Sequence, residues 1–240
     1  DGNGYYQILA RGFNANGVQR LATFTVNSVA DGQQLSPTIA MNAAGAFVVA
    51  WEDDQDGNGY YQILARGFNA NGTQRFAGRT VNSVADGQQR RPAVAVDGSG
   101  NFAVAWEDDQ DGNGYNQILA RGFTASGAQR FADLTVNTVA SGHQIVPQIA
   151  MDSGGSFVVT WQDDRDGNGY YQILARGLTA SGAQRFGPMT VNSGSNGQQR
   201  KPVIALDLEG HFVIAWEDDI DGNGYYEIAA RGMNAAGGMD

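Results

Sequence analysis

The chain has 240 residues, 25 acidic against 15 basic, a formal charge of −10, and no cysteine. The acidic balance repels nucleic acid and anionic membrane surfaces, and the missing cysteine excludes disulfides and thiolate metal sites. No run approaches the roughly 20 apolar residues of a membrane-spanning helix, so no membrane insertion is expected.

In chain order the first feature is the string Asp1-Gly-Asn-Gly-Tyr5, which returns at Asp56, Asp111, Asp166 and Asp221, a step of 55 residues. Trp51, Trp106, Trp161 and Trp216 keep the same period, as do Pro37, Pro92, Pro147 and Pro202. Four periods (1–55, 56–110, 111–165, 166–220) and a partial fifth copy (221–240) fill one domain over 1–240, and near-identity of the copies points to recent duplication. The chain opens inside a motif and reads as a mature or excised segment.

Within a period, four short apolar runs predict four strands: a (Thr38 to Met41), b (Phe47 to Trp51), c (Tyr60 to Phe68) and d (around Val81). Turn-forming Asn, Asp and Gly separate them, and no helical periodicity is sustained. Four strands per repeat predicts an all-β fold, a β-propeller of four-stranded blades. Four blades are expected, with five as the alternative; the last blade would take a, b and c from the C-terminus and d from Phe24 to Asn27. The first c strand, Tyr5 to Phe13, is then redundant: it is displaced, pairs with another molecule, or seeds a fifth partial blade, and the sequence does not choose among these. The tryptophans are expected in the core between blades.

Alternating strand directions place the b–c and d–a loops on one face. The b–c loop carries oxygen side chains at alternate positions before a glycine: Asp54, Asp56 and Asn58, then Asp109, Asp111 and Asn113, Asp164, Asp166 and Asn168, and Asp219, Asp221 and Asn223. That is the opening of a calcium loop, similar to those in the β-hairpins of integrin-type propeller repeats, although alanine (Ala65 and its copies) stands where an EF-hand has its bidentate glutamate. The same residues also suit a plain hairpin turn. The d–a loop carries Gln33, Gln34, Gln88, Gln89, Gln144, Gln198 and Gln199, whose amides suit either carbohydrate hydroxyls or loop backbone. Glu52, Glu107 and Glu217 in strand b are expected to pair across the hairpin with Arg66, Arg121 and Arg231 in strand c. The two histidines, His143 and His211, are not equivalent, so no histidine metal site or triad is read.

The units resemble a repeat of large bacterial secreted and surface proteins, through Val81-Asn82-Ser83, Gly87-Gln88-Gln89, Pro92 to Ala95, Gly100 to Trp106 and Asp111 to Phe123. The resemblance implies a propeller array in an extracellular or cell-surface setting, often alongside calcium-dependent repeats. The function expected is a non-enzymatic scaffold or interaction module, calcium-stabilised, with glycans or other surface proteins as partners. The alternative is a multivalent, lectin-like carbohydrate-binding propeller. A glycosidase is the third reading, for which the sequence nominates no carboxylate pair.

Overall fold

The computed structural model describes residues 4–194 and 196–239, so Asp1 of the first loop copy lies outside the described residues. Among the described residues, seventeen strands and no helix form five antiparallel sheets with the look of propeller blades. Sheet 1 is β1 (Leu9–Phe13) and β2 (Gln19–Thr25). Sheet 2 is β3 (Gln34–Met41), β4 (Phe47–Asp53), β5 (Gln62–Phe68) and β6 (Gln74–Thr80). Sheet 3 is β7 (Gln89–Val96), β8 (Phe102–Asp108), β9 (Gln117–Phe123) and β10 (Gln129–Thr135). Sheet 4 is β11 (Gln144–Met151), β12 (Phe157–Asp163), β13 (Gln172–Leu178) and β14 (Gln184–Thr190). Sheet 5 is β15 (Gln198–Leu206), β16 (Phe212–Asp219) and β17 (Glu227–Met233).

The b strands β4, β8 and β12 are buried along their whole length, because a neighbouring sheet covers each face. Continuous apolar runs such as FVVAW therefore replace the alternation of a half-exposed strand. Trp51, Trp106, Trp161 and Trp216 are buried between sheets, as expected, and each indole N–H donates to an aspartate two residues on (Asp53, Asp108, Asp163, Asp218) at 2.9–3.0 Å. In strand c, a Cβ on Gly122 would sit 2.0 Å from the Phe131 ring, so only glycine lets the d-strand phenylalanine lie flat across it.

The ring closure expected from the sequence does not form. β2 stays paired with β1, and Ile8 and Val26 pack against Phe47, Val49 and Trp51 of sheet 2, which commits the N-terminal d strand to its own sheet. Apart from a Met233–Met239 bridge, β17 has no strand on its outer edge among the described residues. The result is an open row of five sheets, two of them incomplete, rather than a closed four-bladed ring.

Candidate functional site

The d–a and b–c loops do share one face. They are pressed together: a Cβ on Gly87 would meet the Asp109 carbonyl oxygen at 2.0 Å, and the Asp109 N–H donates to the Gln88 carbonyl at 3.0 Å. The glutamines sew this junction. Gln34, Gln89, Gln144 and Gln199 are buried, donate to loop carbonyls of residues 31, 86, 141 and 196, and face the Nδ2 of Asn27, Asn82, Asn137 and Asn192. Gln33, Gln88 and Gln198 accept from the backbone N–H of Tyr6, Tyr61 and Tyr171. These amides hold loops together through backbone contacts.

The aspartate loops close on themselves. Asp54 accepts from Gly59 N–H at 3.1 Å, Asp56 accepts from both the N–H and Nδ2 of Asn58, and Asn58 Oδ1 accepts from Tyr60 N–H at 2.7 Å. Asp109, Asp111 and Asn113 repeat the pattern, as do Asp164, Asp166 and Asn168, and Asp219, Asp221 and Asn223. Each loop is a chain of Asx turns whose carboxylates are already engaged by amides. Each loop oxygen accepts only one or two of these bonds, so lone pairs remain on Asp54, Asp56 and Asn58 beside the turn-closing contacts. Three metal-capable side chains meet at one place among the described residues, Asp207, Glu209 and His211, all exposed at the a–b turn on the opposite face.

Three strand-b side chains clasp the next sheet, while Glu217 accepts from Arg200 and Lys201 of its own sheet 5. Glu52 accepts from Arg91 N–H at 2.8 Å, Glu107 from Val146 N–H at 2.7 Å, and Gln162 from Lys201 N–H at 2.8 Å. The donors Arg91, Val146 and Lys201 have φ near +50°, at a bulge before the conserved-period prolines. The glutamates thus do not pair with the strand-c arginines. Arg66, Arg121 and Arg176 instead donate to the Val26, Val81 and Val136 carbonyls of the preceding sheet and to Gln74, Gln129 and Gln184. A glutamate facing inward can reach a neighbour's backbone, whereas the arginine lies toward the other sheet; the hairpin alone does not reveal that.

Burial pushes the Glu107 carboxyl above the usual glutamate range, against the opposing pull of Val146 N–H and Arg91. Beside it, Asn116 stands where Tyr61, Tyr171 and Tyr226 stand in other repeats, and donates to Glu107 at 3.1 Å. This opens a groove of about 460 Å³ between sheets 2 and 3, lined also by Gln88, Arg90, Arg91 and Asp109.

The feature that recurs is a pair of clefts on the loop face. One, of about 520 Å³, is lined by Asn58, Tyr60, Ala85, Asp86, Gly87, Gln110, Asp111 and Gly112. The other, of about 450 Å³, is lined by Asn113, Tyr115, Ala140, Ser141, Gly142, Arg165, Asp166 and Gly167. Every lining position of the second is the first plus 55. Each holds a tyrosine about half exposed, Tyr60 at 50% and Tyr115 at 46%, and Tyr170 at 50% begins the same arrangement with Asn168, Gly197 and Asp221. Sequence reasoning passed over these tyrosines, although the invariant Tyr after each Asp-Gly-Asn-Gly was the available signal: a hairpin turn does not itself need an aromatic there.

No protein-family model matches the chain, and no curated protein matches it. Solved structures do. A Hadza microbial sialidase aligns at TM-score 0.59 and 13% identity, over 85% of this chain and 45% of its own. A Penicillium chrysogenum α-L-arabinanase complexed with arabinobiose aligns at TM-score 0.58 and 13% identity, over 85% of this chain and 63% of its own. An endo-arabinase from Bacteroides thetaiotaomicron aligns at TM-score 0.50 and 14% identity, over 95% and 86%. The chain spans about half the length of the sialidase and under two thirds of the Penicillium arabinanase. At these identities the likeness establishes the β-propeller fold. The expected non-enzymatic scaffold is corrected: the solved structures of this fold that match include a sialidase and arabinanases, which are enzymes rather than scaffold modules.

Proposed function

We propose that the protein binds glycans multivalently, through one shallow cleft per junction between successive loop pairs. The observation that carries this is the recurrence, at a 55-residue spacing, of a half-exposed tyrosine beside an Asp-Gly turn. A tyrosine ring offers an apolar face and a polar tip to the apolar face of a pyranose or furanose ring. Asp111 and Asp166 each accept from Asn113 and Asn168, and a carboxylate has about four lone-pair sites, so capacity remains for sugar hydroxyls. Open, polar clefts give weak single sites, and linking such sites raises avidity by about 10²–10⁴ without any new contact. The arabinobiose-bound arabinanase is a fold relative whose ligand belongs to the chemical class proposed here. An extracellular setting, expected from the sequence resemblance, is part of the same proposal.

The test is a glycan array of neutral and acidic oligosaccharides, followed by calorimetry on the hits. The Tyr60→Ala/Tyr115→Ala/Tyr170→Ala variant is expected to lose array binding while keeping its melting temperature, since these side chains are half exposed. Flat arrays for the wild type, or hits that survive the triple substitution, would sink the proposal.

A further inference from the structure

One position breaks the repeat where two sheets meet. Tyr6, Tyr61, Tyr171 and Tyr226 stand just before the c strand in their repeats, and Asn116 takes that position in sheet 3. The tyrosine ring has a defined place. In sheet 5, Arg200 Cζ lies 3.6 Å from the centroid of the Tyr226 ring while its Nε donates to Glu217 at 2.7 Å. In sheet 4, burial and then the charges of Asp164 and Glu107 raise the titration of the Tyr171 hydroxyl, which puts that hydroxyl near both carboxylates. One repeat earlier the same two positions are Asp109 and Glu52, and both line the groove beside Asn116. The groove of about 460 Å³ between sheets 2 and 3 is therefore the place of a missing tyrosine ring.

Its walls suit such a ring. Arg90, the equivalent of Arg200, has no tyrosine at this position in its own sheet. It turns instead to sheet 2, where Cζ lies 4.0 Å from the centroid of the Tyr61 ring and Nη1 lies 3.4 Å from Glu52. A guanidinium is flat and stacks on aromatic faces. With one face on Tyr61, Arg90 meets no second ring among the described residues. Glu52 accepts from Arg91 N–H and Arg90 Nη1, and Asp109 accepts from Gly114 N–H. A carboxylate has about four lone-pair sites, so both keep capacity for a hydroxyl.

We propose that this groove binds a small molecule carrying a p-hydroxyphenyl ring, with the ring flat against Arg90 and the hydroxyl donating to Glu52 or Asp109. The repeat supplies the argument, since the chain fills the equivalent place with a phenol ring of its own in sheets 4 and 5. A hydroxyl donating to a carboxylate makes a charge-assisted bond, stronger than one between neutral groups. The groove shares no lining residue with the two loop-face clefts, so this site and the glycan sites stand or fall separately.

The test is a titration of ¹⁵N-labelled protein with p-cresol, followed by the amide shifts of residues around the groove. Saturable shifts are expected, with a dissociation constant on the order of millimolar for so small a ligand. Asn116→Ala leaves the groove open and is expected to keep this binding. Asn116→Tyr restores the chain's own ring, and is expected to lose p-cresol binding while melting no lower than the wild type. Cyclohexanol and methyl glucoside, rings of similar size without a π face, are expected to leave the same amides unmoved. No saturable shift with p-cresol up to the limit of its solubility overturns the proposal. So does p-cresol binding that survives in Asn116→Tyr, a lower melting temperature for that variant, or equal binding of cyclohexanol or methyl glucoside at the same amides.

Discussion

Glu107 is the clasp whose removal tests the inter-sheet reasoning most directly. Its side chain is 3% exposed and accepts from Val146 N–H at 2.7 Å, Arg91 Nη1 at 2.9 Å and Asn116 Nδ2 at 3.1 Å. Glu107→Ala strands the Val146 amide at a junction with no replacement acceptor, at a cost of about 1–3 kcal/mol. In a domain of this size each kcal/mol moves the melting temperature by about 2–4 °C, so a fall of about 2–12 °C is expected by differential scanning calorimetry. Glu107→Gln keeps an acceptor for that amide, as Gln162 does for Lys201, gives up the charge facing a half-exposed Arg91, and requires the Asn116 amide to turn over so that its oxygen accepts from the new NH2. It should therefore melt within about 2–4 °C of wild type at neutral pH, a change of about 1 kcal/mol, because removing a buried charge offsets the lost attraction to Arg91. The two variants also separate in pH. Burial raises the Glu107 titration above its unfolded value, so the folded state holds that proton more tightly. The group's contribution is then most favourable below the unfolded value and is lost as pH rises through the folded one. Glu107→Gln removes this component, leaving the same-signed slopes of Asp53 and Asp108, which burial also raises. An unchanged melting temperature for Glu107→Ala would refute the clasp.

Other outcomes follow from the same geometry. Val146 is β-branched at φ 55°, so Val146→Gly should raise the melting temperature, with strain relief outweighing the entropy that glycine adds to the unfolded chain. Gly122→Ala should destabilise by about 1–3 kcal/mol in urea unfolding, because the new methyl overlaps the Phe131 ring. Calcium titrated into metal-stripped protein tests the loops directly: an unchanged melt leaves them as turns whose carboxylates cap Gly59, Asn58 and their equivalents. A saturable, calcium-specific rise would instead assign ions to the loops at Asp54, Asp109, Asp164 and Asp219.

The strands, their order and the shared loop face were legible because the 55-residue period repeats every turn residue and every apolar run. The tryptophans were legible as core because large aromatics in a b strand have nowhere else to go when both faces are covered. What the period conceals is anything between repeats. Glu52 looks like a partner for Arg66 on its own hairpin, yet it reaches Arg91 in the next sheet, a separation no local pattern encodes. The clefts were hidden for the same reason: Tyr60 and Asp111 lie 51 residues apart and meet only because sheets 2 and 3 stack. Ring closure was misjudged because counting strands says how a blade could be completed, but not whether β2 prefers a distant edge to β1 beside it.

The few departures from the repeat bear on how the sites differ. Scaffold positions such as the buried tryptophans and the Asn82 series hardly vary, because each is fixed by contacts on every side. The position before the Asp-Gly turn does vary, as Gln55, Gln110, Arg165 and Ile220, and two of these, Gln110 and Arg165, line the two clefts. The clefts therefore share a tyrosine platform but not a rim. Arg165 is held against buried Asp163 at 2.9 Å, which offsets its charge while leaving part of the guanidinium at the surface. Duplication on this plan gives copies equal in fold and unequal in what surrounds the ring, so the proposed glycan sites should rank differently for one sugar, which calorimetry on single-tyrosine variants would measure.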